Sequence, residues 1–183
     1  GEHGLIQIAL DPNFEKNGYF YLYFSSTEVD GKGSTNRVSR FQDLGDPVSR
    51  LNSETIIWKA TDPFSGCCHT GGALVFVEDG TMLLTTGDDF SNKTAQDMSH
   101  SNGKVHRFNS DGSIPENNPY YDTTPGIYNS SGVLKSIYAS GLRNPFRGKF
   151  DTQLNTLVFG EVGGNIQTRA WEEPGVLDEL SNS

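Results

Sequence analysis

The sequence predicts an all-β protein built from antiparallel four-stranded units with long loop insertions, the pattern of a β-propeller. Short runs rich in β-branched and aromatic residues alternate with turns carrying Gly, Asn, Asp and Pro. Asp11, Asp79 and Asp151, separated by 68 and 72 residues, each stand between one apolar strand and the next. A self-similar unit of that length suits a propeller blade with inserted loops. The same strand signals would serve an antiparallel sandwich, and it is the repeat that favours the propeller.

Residues 5–10 are apolar apart from Gln7, Asp11-Pro12-Asn13 interrupts them, and Asn17-Gly18 turns the chain into the aromatic run 19–24. After a polar loop over 25–35, residues 36–41 and 54–58 supply a third and a fourth strand, with no convincing helix in this unit. The cycle restarts with strands at 73–76, 82–86, 104–108 and 134–139, broken by a polar excursion at 91–102 and a long turn-rich loop from 109. A third cycle opens with 146–151 and 156–160. The expected units are 4–60, 70–140 and 141–183, about two and a half blades of one domain. A closed propeller needs at least four, so remaining blades or a completing chain are expected as partners.

The chain of 183 residues is long enough for a substantial core. Its net charge of -9 provides no basic face for a phosphate backbone, which argues against a nucleic-acid partner. No apolar run approaches the roughly 18 residues that span a bilayer. Gly1-Glu2-His3-Gly4 does not resemble a signal peptide. The two cysteines, Cys67 and Cys68, are adjacent: they could form a vicinal disulfide, pair separately with segments missing from this sequence, or stay free. Asn92-Lys93-Thr94 and Asn129-Ser130-Ser131 are acceptor sequences for N-glycosylation, compatible with a secreted glycoprotein.

One stretch organises the chemistry. Residues 67–88 place His69 before an apolar strand, return through Asp79-Gly80, and end the second strand on Gly87-Asp88. Paired antiparallel strands would bring His69 and Asp88 to the same edge. Further on, the consecutive glycines of Gly160-Glu161-Val162-Gly163-Gly164-Asn165 would let carbonyls turn inward towards a hard cation. His3, His100 and His106 have no spacing that suggests zinc, and surface or strand positions are their default.

From His69 through Asp88 the sequence resembles the glucose/sorbosone dehydrogenase family, soluble quinoproteins with six-bladed β-propellers whose relatives include hedgehog-interacting proteins. The likeness extends over Gly4-Leu5-Ile6-Gln7-Ile8-Ala9-Leu10-Asp11-Pro12-Asn13-Phe14, Asn36-Arg37-Val38-Ser39-Arg40-Phe41, Gly103-Lys104-Val105-His106-Arg107-Phe108-Asn109 and Gly141-Leu142-Arg143-Asn144-Pro145. It implies a fragment of a propeller that binds pyrroloquinoline quinone (PQQ) and Ca²⁺ and oxidises a sugar or polyol, with an external electron acceptor to reoxidise the quinone. It further implies a secreted or periplasmic location. By the same resemblance His69 is the base, Asp88 its partner, Arg143 and Asn144 cofactor contacts, and Gly163 and Gly164 carbonyl donors to Ca²⁺. Val162 stands where some of these dehydrogenases have glutamine.

The competing expectation is a carbohydrate- or protein-binding propeller without catalysis. It would use loops 26–36 and 117–132, with Tyr120, Tyr121 and Tyr128 as contacts.

Overall fold

The structure, a computed structural model, describes residues 2–27, 34–64 and 68–163 and the backbone of 172–177. In the first sheet β1 (Leu5–Leu10), β2 (Tyr19–Thr27), β3 (Ser34–Gln42) and β4 (Thr55–Lys59) pair in chain order, all antiparallel. The second repeats this meander with β5 (Leu74–Phe76), β6 (Met82–Thr85), β7 (Lys104–Phe108) and β8 (Ile137–Ser140). A third, three-stranded sheet has β10 (Thr156–Val162) between β9 (Pro145–Asp151) and β11 (Glu172–Leu177).

The expected six-bladed propeller is corrected by this topology. Among the described residues the three sheets are separate and open, and none closes into a barrel or a ring. The physical reason lies in the ladders: each meander ends at its own edge strands, and the named strands pair only within their own sheet. Local signals had specified the meanders, but closure is a property of how sheets meet, which strand periodicity does not encode.

Among the described residues three short helices also break the all-strand expectation: α1 (Phe14–Asn17), α2 (Pro47–Asn52) and α3 (Asn92–Gln96). Proline at its start and the Asp46 carboxylate, which accepts from the backbone N–H groups of Val48 and Ser49, explain α2. The left-handed Gly18 terminates α1. Among the described residues no helix is long and apolar enough to cross a membrane.

The second sheet is the middle layer. Strand β6, Met-Leu-Leu-Thr, is buried at every position, because successive side chains point to opposite faces and both faces are covered. Met82 and Leu84 pack with Tyr21, Tyr23, Val38 and Trp58 of the first sheet. Leu83, with Val105 of β7, packs with Phe150, Leu157 and Phe159 of the third. Each such side chain removed from water contributes roughly 2 kcal/mol.

The three repeat aspartates have a common physical role. The Oδ1 atoms of Asp11, Asp79 and Asp151 each accept the backbone N–H two residues on, from Asn13, Thr81 and Gln153. The recurring residue is thus the one that closes an Asx turn between strands.

Candidate functional site

His69 lies just before β5 and Asp88 just after β6, so the hairpin delivers both to one end of the second sheet. The imidazole Nδ1 is 2.6 Å from Asp88 Oδ1, and both residues are buried. An ionised carboxylate only accepts, so Nδ1 carries the proton, and in the neutral ring Nε2 is the acceptor.

Gly87 makes the approach possible. A Cβ there would sit 2.0 Å from the His69 carbonyl oxygen, inside the room that only glycine leaves. The buried Thr85 hydroxyl accepts from the Ala73 N–H at 2.9 Å and donates to the Pro145 carbonyl at 2.8 Å, tying the hairpin to the third sheet.

Arg143 and Asn144 enter from the turn before β9. The Asp88 N–H donates to the Arg143 carbonyl at 2.8 Å. Glu161 Oε1 accepts the N–H groups of Arg143 and Asn144 at 2.7 and 2.8 Å, and the Arg143 guanidinium donates to the Val162 carbonyl at 3.0 Å. Asn144 is buried, and its Oδ1 accepts from the Gly71 N–H at 3.0 Å. Four chain segments are thereby knotted into one hydrogen-bonded cluster.

A pocket of about 320 Å³ opens there, lined by His69, Asp88, Phe90, Gln96, Leu142 and Arg143 among others. The structure therefore brings His69, Asp88 and Arg143 to one cavity, while Asn144 stands behind its wall. Gly163 follows β10 directly, and Gly164 lies outside the described residues. A more apolar cavity of about 220 Å³, lined by Trp58, Ile114 and Leu134 among others, shares no residue with this pocket.

Three further residues shape the site. Phe90 stacks on the His69 ring, with centroids 3.9 Å apart and 26° between planes. Lys104 is fully buried and its ammonium donates to the carbonyls of Thr94, Ala95 and Asn102, anchoring the segment that follows Phe90. Glu161 has a buried Oε2 with no hydrogen-bond partner among the described residues. Burial raises its pKa, against the lowering effect of the two N–H donors and the Arg143 charge. Sequence reasoning gives Glu161 no role beyond its place in the glycine-rich loop and does not find Phe90 or Lys104. The Gly-Asp-Asp-Phe run at 87–90 was the available signal for Phe90.

The other histidines take no part. His106 is buried in β7, His100 pairs with Asp62 at 2.6 Å, and His3 packs edge-on against Phe64. Cys68 is disulfide-bonded, so the free-thiol option falls, and Cys67 lies outside the described residues. Of the candidate binding loops, residues 28–33 also lie outside them.

The residues present fit an anionic quinone and a hard cation. Arg143 supplies positive charge to the pocket that holds the histidine, and Glu161 keeps one buried carboxyl oxygen, behind the Arg143–Asn144 turn, that no hydrogen bond engages among the described residues. Among the described residues no three His, Cys, Asp or Glu side chains converge on a metal position, so a cation here would draw on carbonyl oxygens.

Comparison with known proteins gives this geometry a family. Quinoprotein glucose dehydrogenase B of Acinetobacter calcoaceticus is 30% identical over 188 residues, covering 90% of this chain and 37% of that protein. The apo-form crystal structure of the soluble aldose sugar dehydrogenase from Escherichia coli matches with a TM-score of 0.80 at 28% identity, over 98% of this chain and 49% of that one. The PQQ-bound aldose sugar dehydrogenase from Streptomyces coelicolor matches with a TM-score of 0.75 at 26% identity, over 97% and 46% respectively. The chain spans under half the length of these relatives. The family model described as glucose/sorbosone dehydrogenase matches residues 1–168, and the chain belongs to that family.

Proposed function

We propose that the protein contributes the proton-accepting half of a PQQ-dependent dehydrogenase site that oxidises a sugar or related alcohol. The observation that carries this reading is the buried 2.6 Å His69–Asp88 contact opening on the pocket that Arg143 also lines. His69 Nε2 takes the proton of the substrate hydroxyl, and Asp88 stabilises the resulting imidazolium while holding the ring in one orientation. Losing that proton makes the adjacent carbon a better hydride donor. When bound, PQQ with Ca²⁺ supplies the polarised electron sink for the hydride.

Arg143 offsets the anionic charge of the cofactor. The carbonyls of Gly163 and Gly164 are the proposed Ca²⁺ donors, and Asn144 holds the loop that carries Arg143. An external electron acceptor restores the quinone. A disulfide at Cys68 supports an extracytoplasmic compartment, where such bonds persist.

A second reading rests on a specific observation: Arg143 and Asn144 both bond to backbone groups, as residues retained purely for loop geometry would. A non-enzymatic binding protein would keep them for that reason. Calorimetry of the full-length protein with PQQ and Ca²⁺, followed by sugar-dependent dye reduction, separates the two. Ca²⁺-dependent uptake and turnover support the dehydrogenase, and no heat of binding at high micromolar cofactor overturns it. His69→Gln should keep cofactor uptake and lower kcat by about 10²-fold or more. Undiminished turnover in that variant removes His69 from the role of base.

A further inference from the structure

Phe90 lies two residues beyond Asp88 and belongs to no regular element, yet it makes two contacts with the His69–Asp88 pair. Its ring lies against the imidazole at a centroid distance of 3.9 Å, and its backbone N–H donates to Asp88 Oδ1 at 3.0 Å. That oxygen is the one His69 Nδ1 contacts. One residue therefore covers a face of the imidazole and fixes the carboxylate that holds its edge.

The backbone shows what this placement costs. Asp89 and Phe90 have φ of 52° and 62°, consecutive non-glycine residues in the left-handed region, and His69 itself has φ of 65°. Such conformations are disfavoured for a residue with a Cβ and persist where surrounding structure enforces them. The ring gains little burial in return, since Phe90 is 52% exposed. A phenylalanine in a strained backbone, half in water and stacked on one histidine, is poorly explained by stability alone.

We propose that Phe90 is a positioning residue for His69: it clamps the imidazole face-on while its N–H fixes the Asp88 carboxylate, so that Nε2 is held towards the pocket. This rests on the reading of His69 as the base. The ring restricts rotation of the imidazole about its side-chain bonds and keeps water from one face, while the edge carrying Nε2 stays free to meet a hydroxyl.

The test uses Phe90→Gly and Phe90→Tyr in the purified full-length protein. Glycine accepts the left-handed backbone and keeps the N–H, so it removes the ring alone. The expected result is a midpoint of thermal unfolding equal to or above that of the wild type, kcat lower by about tenfold with KM changed less than twofold, and near-normal kcat in Phe90→Tyr. In proton NMR, ring current from Phe90 should shift the His69 imidazole resonances upfield in the wild type and in Phe90→Tyr, and the shift should vanish in Phe90→Gly.

Wild-type kcat in Phe90→Gly overturns the proposal, as does a parallel fall of stability and kcat or a wild-type spectrum without the upfield shift. Should the wild type lack sugar-dependent dye reduction, the dehydrogenase reading falls by itself. The proposal then survives as a clamp on His69 only if the resonance shift follows the ring through the two variants.

Discussion

His69 and His106 show how one side chain is put to opposite uses by its partners. His69 faces a carboxylate, which accepts from its Nδ1 and leaves Nε2 for a ligand. His106 is fully buried against neutral partners, the Ser136 hydroxyl and the Ser101 carbonyl, with the Trp58 ring tilted against it at 4.9 Å. Since a carbonyl only accepts, Nε2 donates to Ser101 and Nδ1 accepts from Ser136. Burial pushes the His106 pKa down from 6.5 to about 4. The unfolded chain then binds a proton at His106 that the folded chain refuses. Its contribution to stability is complete above pH 6.5 and declines as pH falls towards about 4, by on the order of 3 kcal/mol across that window. Urea titrations at pH 7 and pH 4.5 should show this decline, and His106→Gln should remove most of the difference. A variant with unchanged pH dependence would contradict it. Of the residues around the site, His69 and Asp88 were legible because a hairpin carries its two ends to one edge whatever it packs against. Arg143 and Asn144 came only from a motif. Phe90 was illegible because its stack needs a left-handed backbone that no pattern announces, and the role of Glu161 depends on a hydrogen bond across 17 and 18 positions of sequence.

At the scale of elements, the hairpin β5–β6 matters most, and Gly87 is its critical joint. Adding a methyl group there would place it 2.0 Å from the His69 carbonyl oxygen, with backbone rather than a flexible side chain in the way. Gly87→Ala should therefore cost roughly 3 kcal/mol. It should also separate His69 from Asp88, so that turnover falls further than stability alone explains. Denaturant unfolding beside kcat checks both, and a variant of normal stability and activity would show that the crossing can relax. Strands β1 to β10 were legible, with ends moved by a few residues, because aromatic and β-branched runs between Asx turns admit little else, whereas β11 was not read from the sequence. Helix α3 was not, because Asn-Lys-Thr-Ala-Gln is too short for periodicity to register. It is held from outside, through the carbonyls of Thr94 and Ala95 that the buried Lys104 takes.

For the whole molecule, the sequence conveyed the repeat and missed the architecture. Asx turns at like spacing announced equivalent meanders, but how one sheet meets the next depends on side-chain packing between layers, and the structure leaves the set open. The outer layers show it in their surfaces. Leu5, Ile8 and Leu10 of edge strand β1 are 65%, 53% and 55% exposed. Apolar side chains on an unpaired edge favour association. The 183-residue chain should accordingly show concentration-dependent sedimentation that Ile8→Lys reduces, and a monomer at all concentrations would count against this. The middle layer has the opposite character. With β6 covered from both sides, its amide protons should be the last in the molecule to exchange with deuterated solvent. His69 and Asp88 hang from that slow-exchanging stem, so partial opening of the outer sheets would leave the proton-accepting pair assembled after its surroundings had begun to breathe.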